Sequence, residues 1–210
     1  MNKKIHNINR NALLGILFAD KHNLSGVEVG TFKGEFSREI LSHDNVINLY
    51  MVDVWRPLSR EEYDDFSNHE NYTDVYKEAM ENINDFVERA HMLRCRSNVA
   101  CNLFADESLD FVYIDANHTY QGVKDDINCW YSKVKKGGIL FGHDYLKIDF
   151  GDDKDVPIYA WNPYIGQTGD DSKYIGMFGV NPAIDEFTQQ YEYELNITDE
   201  FAGTWWIIKK

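Results

Sequence analysis

Leu109 to Gly122 reads LDFVYIDANHTYQG, a run of large apolar residues that delivers an acid and a histidine to its far end. Phe111, Val112, Tyr113 and Ile114 form an unbroken apolar run too short for a buried helix. That is the pattern of a strand covered on both faces, as in a parallel sheet. Asp115 and His118 follow at once. An acid and an imidazole at the end of a buried strand need a reason, and the flanking sequence supplies one.

Upstream, GVEVG (26–30) is a short strand closing on a glycine, followed by helical FSREILSH. VINLYMVDVW (46–55) is a second strand carrying Asp53, and AHMLRCR (90–96) a third, with a short helix in NVACNLF. NRNALLGILFADKHN (9–23) is a first helix, and the stretch 59–87 favours helix in its second half. Downstream of LDFVYID, Val123, Ile127, Trp130 and Val134 recur at helical spacing. KKGGILFGHDY (135–145) then gives a helix stop, a glycine turn and a fifth strand. PAIDEFTQQY is a helix with Pro182 in its first turn, and YELNITD and TWWIIKK form a closing antiparallel pair.

Strands alternating with helices predict an α/β fold with a mostly parallel sheet. Without repeats or a linker, residues 1–210 read as one domain, in which 146–180, rich in Gly, Asp, Pro and aromatics, is a substrate-covering insertion. In such sheets ligands bind beyond the carboxyl ends of the strands, where strand order reverses. Glu28, Gly30, Asp53, Asp115 and Asp144 all fall at such ends.

The charge balance of 21 basic and 35 acidic residues gives a net −14. A chain so acidic, with basic clusters no larger than MNKK and Lys135–Lys136, disfavours nucleic acid as a partner. The longest early apolar run, ALLGILFA, falls far short of the roughly 20 residues that cross a bilayer. No secretory cleavage pattern follows it, so the expected setting is cytoplasmic and away from membranes. Cys95, Cys101 and Cys129 form no C-x-x-C pair and are expected to be plain thiols in a reducing compartment.

VEVGTFKGEFS (27–37) has Gly30 and Gly34, which let backbone pass close to a ligand; the alternative is a strand–turn–helix corner whose glycines only satisfy geometry. It is neither G-x-G-x-x-G nor a triphosphate loop, which disfavours a nicotinamide oxidoreductase. Glu28 before the glycine repels a pyrophosphate and suits a cationic ligand. Asp53, about 20 residues on, is placed to accept both hydroxyls of a ribose. A nucleoside with an amino-acid-like end fits both.

VEVGTFKGEFSREIL, LYMVDVW and DFVYIDANHTYQGVKDDINCWYSKVKKGGILFGHDY together resemble a class I S-adenosylmethionine-dependent methyltransferase. More narrowly they are similar to the small group that includes macrolide-sugar O-methyltransferases and, more distantly, catechol O-methyltransferase. The resemblance implies a doubly wound, Rossmann-like seven-stranded sheet, mostly parallel with an antiparallel last strand. It implies that Glu28, Gly30, Thr31 and Phe32 line the methionine part of the cofactor. It implies Asp53 on the ribose, Val54 and Trp55 beside the adenine, and Ser97 contacting the adenine. GEFS places Ser37 one residue later than the matching serine of the catechol enzyme. In the macrolide-sugar enzymes the residue matching Asp115 binds magnesium and that matching His118 is the base.

The chemistry agrees with those roles. Methyl transfer from a sulfonium needs alignment, and an alcohol acceptor must lose a proton, for which an imidazole near neutrality is suited. A divalent cation would acidify the acceptor further, and Asp115 with Asp144 offers it oxygen ligands. His143, where relatives carry an acid, suits a softer metal or orients substrate. The alternative for Asp115 is helix capping, and for His118 a packed or surface histidine. Asp125 and Asp126 read as a solvated helix face.

Tyr145, Phe150, Tyr159, Trp161, Tyr164, Tyr174 and Phe178 suit stacking on a sugar. They equally suit packing of a long loop or a homo-oligomer contact. PLSREEYDDFSNHENY would be a second wall, and phosphorylated acceptors are disfavoured unless Arg56 and Arg60 face inward. The expected activity is O-methylation of a hydroxyl on a sugar-containing or other polyhydroxylated small molecule. Methylation of a small amine or phenol, and a non-catalytic cofactor-binding protein, stand as alternatives.

Overall fold

The computed structural model describes residues 3–57, 71–146 and 179–210. Its strands are β1 (Lys3–His6), β2 (Leu24–Val29), β3 (Val46–Asp53), β4 (Ala90–Arg94), β5 (Leu109–Ile114), β6 (Val134–Leu146), β7 (Leu195–Thr198) and β8 (Ala202–Ile208). Its helices are α1 (Arg10–Phe18), α2 (Glu35–Leu41), α3 (Tyr72–Asn82), α4 (Ser97–Cys101), α5 (Tyr120–Trp130) and α6 (Val180–Gln190). They make one sheet of order β1-β7-β8-β6-β5-β2-β3-β4. Every pairing is parallel except those of β8, which runs antiparallel to β6 and β7.

The LDFVYI run is the buried strand expected of it, and it lies inside the sheet between β6 and β2. Val112 and Ile114 pack on one face with α5 and α6, and Phe111 and Tyr113 on the other with α1 and α2. All four are buried, and burying side chains of this size stabilises by roughly 1.5–3 kcal/mol each. A strand with helices over both faces has no polar side, which is why its sequence shows no alternation.

The described residues contain eight strands, not seven. The addition is β1, Lys3–His6, which pairs parallel with β7. Lys3 and Lys4 had read as a basic cluster. An edge strand with exposed side chains carries no apolar pattern and is held by its ladder and by local polar contacts. Here Lys3 Nζ meets Asp185 Oδ2 at 2.7 Å and also donates to the Tyr145 hydroxyl.

The cysteines are a second correction. Cys101 on α4 and Cys129 on α5 form a disulfide, with their Cα atoms 6.2 Å apart, and Cys95 is free. Sequence spacing gave no hint, because the pair is made by two helices packing side by side. Among the described residues no helix is long and apolar enough to cross a membrane. Nearly all of the 146–180 insertion lies outside the described residues, as do most of the second wall and Arg60. Tyr145 is described, and it is buried in the core with its hydroxyl bonded to Asp185 Oδ1 at 2.7 Å. Arg56 is exposed.

Candidate active site

The strand order reverses between β2 and β5: from β2 the chain builds outward to β3 and β4, then crosses back to lay β5 on the other side. Backbone pairing continues one residue past β5, the Asp115 amide donating to the Val29 carbonyl at 2.8 Å. Gly30 accordingly lies against the turn that carries Asp115. Its φ of +89° and the absence of a side chain are both required there, since a β-carbon would meet the Asp115 carbonyl oxygen at 1.9 Å.

A cleft of about 630 Å³ opens over these strand ends. The β2 loop contributes Glu28, Gly30, Thr31 and Phe32, and β3 contributes Asp53 and Val54. Ser97 lines it from α4, and Asp115 and His118 from the turn after β5. Trp55 is fully buried behind that wall, its indole N–H donating to the Phe32 carbonyl at 2.8 Å.

Asp53 organises the loop opposite. Its Oδ2 accepts the Phe32 amide and its Oδ1 the Trp55 amide, both at 2.9 Å. Phe32 and Trp55 have φ of 52° and 40°, left-handed backbone that non-glycine residues adopt only at a cost. One carboxylate thus secures two strained residues. Glu28 is 1% exposed. Burial pushes its carboxyl up to about 8, against the bond donated by the Ser37 hydroxyl, while the charges of Asp115 and Asp53 raise it and that of Arg10 lowers it. That bond occupies Ser37, which is wholly buried.

Asp115 does not cap α5. Thr119 does, its hydroxyl accepting from the Gly122 amide at 3.1 Å. The Asp115 carboxylate is instead free to turn toward His118, whose Nε2 lies 3.2 Å from Asp115 Oδ1 and 3.1 Å from Asp144 Oδ2. Burial alone would raise the Asp115 pKa. The hydrogen bond from His118, with the positive charges of His143, His118 and Arg10, outweighs it and holds the group below the usual carboxylate range.

Asp144 belongs to β6 and adopts φ of 59°, which directs its carboxylate to the same point. Asp115, His118 and Asp144 each offer one ligand atom, all within 4.8 Å of one another. The two carboxylate oxygens fit a hard divalent cation, which leaves the imidazole nitrogen beside them for a proton. His143 is not part of this group; its Nδ1 lies 3.1 Å from Asp144 Oδ1.

Arg10 and Asp126 are among the residues of the cleft that were not anticipated. Arg10, at the start of α1, lines it, donates to the Tyr113 hydroxyl at 3.1 Å and lies 3.7 Å from Asp115 Oδ2. No local pattern marks a residue over a hundred positions from its partners. Asp126 is the second, and it corrects the solvated-face reading: it is 8% exposed and lines the cleft. Its signal was present. Asp126 falls on the same stripe as Val123, Ile127 and Trp130, the face that α5 buries.

Comparison with known proteins agrees with this architecture. The family model described as a methyltransferase domain matches residues 27–145, from β2 to β6 and more than half of the chain. Uncharacterised proteins from Sinorhizobium fredii and Acanthamoeba polyphaga mimivirus are each 26% identical, over 122 and 149 residues. Those stretches are 56% and 70% of this chain but 13% and 58% of the relatives, so the chain spans less than two thirds of either. The solved structure of the O-methyltransferase NovP superposes with a TM-score of 0.60 at 16% identity, covering 95% of this chain and 78% of NovP. With the family model spanning the strands that build the cleft, the chain belongs to the methyltransferase-domain family.

Proposed function

We propose that the protein transfers the methyl group of S-adenosylmethionine to a hydroxyl oxygen of a small sugar-containing or otherwise polyhydroxylated molecule. His118 is the general base, aided by a divalent cation on Asp115 and Asp144. The observation that carries this reading is the pair of carboxylates, 3.2 Å and 3.1 Å from His118 Nε2, at the mouth of the cofactor cleft.

S-adenosylmethionine brings an electrophilic methyl group, so the residues need only hold donor and acceptor in line and remove one proton. Asp53 retains lone pairs for ribose hydroxyls while its two oxygens hold the loop. Asp115 supplies the negative charge that a cationic amino-acid end requires, and Glu28, protonated by its burial, offers that end a carboxyl oxygen. A divalent cation on the Asp115 and Asp144 oxygens would supply the Lewis acidity that lowers the pKa of an acceptor hydroxyl. His118 Nε2, lying against both carboxylates, is the atom placed to take the acceptor's proton. Sharing those carboxylates with a cation leaves the imidazole free to act as a base.

The test is methyl transfer to a panel of glycosides, catechol and primary amines, each with and without a chelator. Transfer to glycoside hydroxyls, weakened by the chelator and reduced about 10²–10⁴-fold in His118→Ala, is the expected result. Turnover unchanged in His118→Ala would remove the base assignment, and indifference to the chelator the cation. Transfer to amines or catechol alone would replace the acceptor class. Cofactor binding without transfer to any acceptor would favour a non-catalytic protein.

A further inference from the structure

Asp126 is an acid on the buried stripe of α5, more than nine-tenths covered yet facing the cleft. Its Oδ1 accepts the hydroxyl proton of Ser97. Ser97 has only that proton to give, and its oxygen already accepts the Trp130 indole N–H at 2.8 Å. Ser97 is therefore a relay between Trp130 and Asp126, with no donor left for a ligand. Asp126 Oδ2, by contrast, has no hydrogen-bond partner among the described residues. Burial pushes the carboxyl up to about 6 against the Ser97 bond, with the charge of Asp125 adding to the rise. An acceptor so placed is improved by any N–H brought to it.

The neighbourhood indicates which N–H that is. Asp53, the ribose candidate, stands at the end of β3, and Ser97 begins α4 just past β4, the next strand along the sheet. Asp53, Ser97 and Asp126 line one cleft, so a nucleoside with its sugar on Asp53 has α4 and α5 as a wall for its base.

We propose that Asp126, rather than Ser97, selects the base of the cofactor, its Oδ2 accepting a hydrogen bond from the exocyclic amine of an aminopurine. This rests on the reading of the cleft as the S-adenosylmethionine site. A 6-oxopurine would set a carbonyl oxygen against the carboxylate oxygen and be rejected. The same group would give the site its preference for adenosyl over inosyl ligands.

Calorimetric titration with S-adenosylhomocysteine and S-inosylhomocysteine tests this without any turnover. The wild-type protein is expected to bind the adenosyl compound at least about tenfold more tightly. In Asp126→Asn, whose amide can turn a donor toward the oxo group, the ratio should collapse to within about threefold or invert. Ser97→Ala should keep the adenosyl preference. Equal wild-type affinities for the two ligands would overturn the inference alone, as would an Asp126→Asn protein that melts normally and keeps the full ratio. Loss of preference in Ser97→Ala with retention in Asp126→Asn would return the role to Ser97. Should Asp126→Asn not fold, the wild-type ratio and Ser97→Ala still decide. Failure of both ligands to bind wild type would overturn the cofactor-site reading itself, and this inference with it.

Discussion

Gly30 and Asp115 interlock: a β-carbon at Gly30 would stand 1.9 Å from the Asp115 carbonyl oxygen. The glycine loop and the turn that carries the acid are therefore one packed unit, and the spacing of the proposed cofactor site and base depends on it.

Gly30→Ala should be severely destabilising. Left-handed backbone costs a side chain roughly 1–2 kcal/mol, and the overlap with Asp115 adds about 1–3 kcal/mol. A fall in melting temperature of roughly 5–15 °C is expected for a chain of this size, with loss of S-adenosylhomocysteine binding. Gly137→Ala is the control, since Gly137 shares the positive φ, at 74°, but has open space around it. Equal melting shifts in the two variants would show that the Asp115 contact is not the cause.

Asp53→Asn should weaken both loop and ligand. Asparagine has one acceptor oxygen where Asp53 uses two, so either the Phe32 or the Trp55 amide loses its partner. An unpaired amide costs about 1–3 kcal/mol, spent here on two residues already in left-handed backbone. S-adenosylhomocysteine affinity should fall at least about tenfold in calorimetry. Unchanged affinity would mean that the ribose is held elsewhere.

Asp144→Asn tests the cation site. Removing one of two carboxylates should weaken Mn²⁺ binding about tenfold or more, read by electron paramagnetic resonance of the free ion. His118→Ala removes the nitrogen of the trio but leaves both acids, so it should impair turnover more than Mn²⁺ affinity. Wild-type protein that leaves added Mn²⁺ free in solution would end the cation proposal.

Glu28 gives a pH signature. Its folded pKa of about 8 lies above the ordinary value of 4.5, so between those values the folded protein holds a proton that the unfolded chain has lost. Stability without ligand should therefore decline as pH rises from about 4.5 to about 8, and level off above that. Asp126, at about 6, contributes the same sign over a lower window. Glu28→Gln should flatten the upper part of the curve, measured by urea melts from pH 5 to 9. A wild-type curve that rises across the interval would contradict the buried, protonated state.

Fold class and much of the site were legible because both are written locally. A strand buried on both faces must be apolar throughout, so FVYI announces a parallel sheet, and the residues that end such strands face the ligand crevice. Glu28, Gly30, Asp53 and Asp115 could be found in that way. What tertiary structure alone decided were relations between distant segments. Asp115 and Asp144 reach one imidazole because β5 and β6 lie side by side, and Asp144 adopts a left-handed φ that its residue type does not dictate. Cys101 meets Cys129, and Ser97 meets Asp126, because α4 and α5 pack together. β1 exists because β7 offers it a free edge. Periodicity reports which face of an element is buried; which groups meet there depends on packing between elements, and no single stretch of chain contains that information.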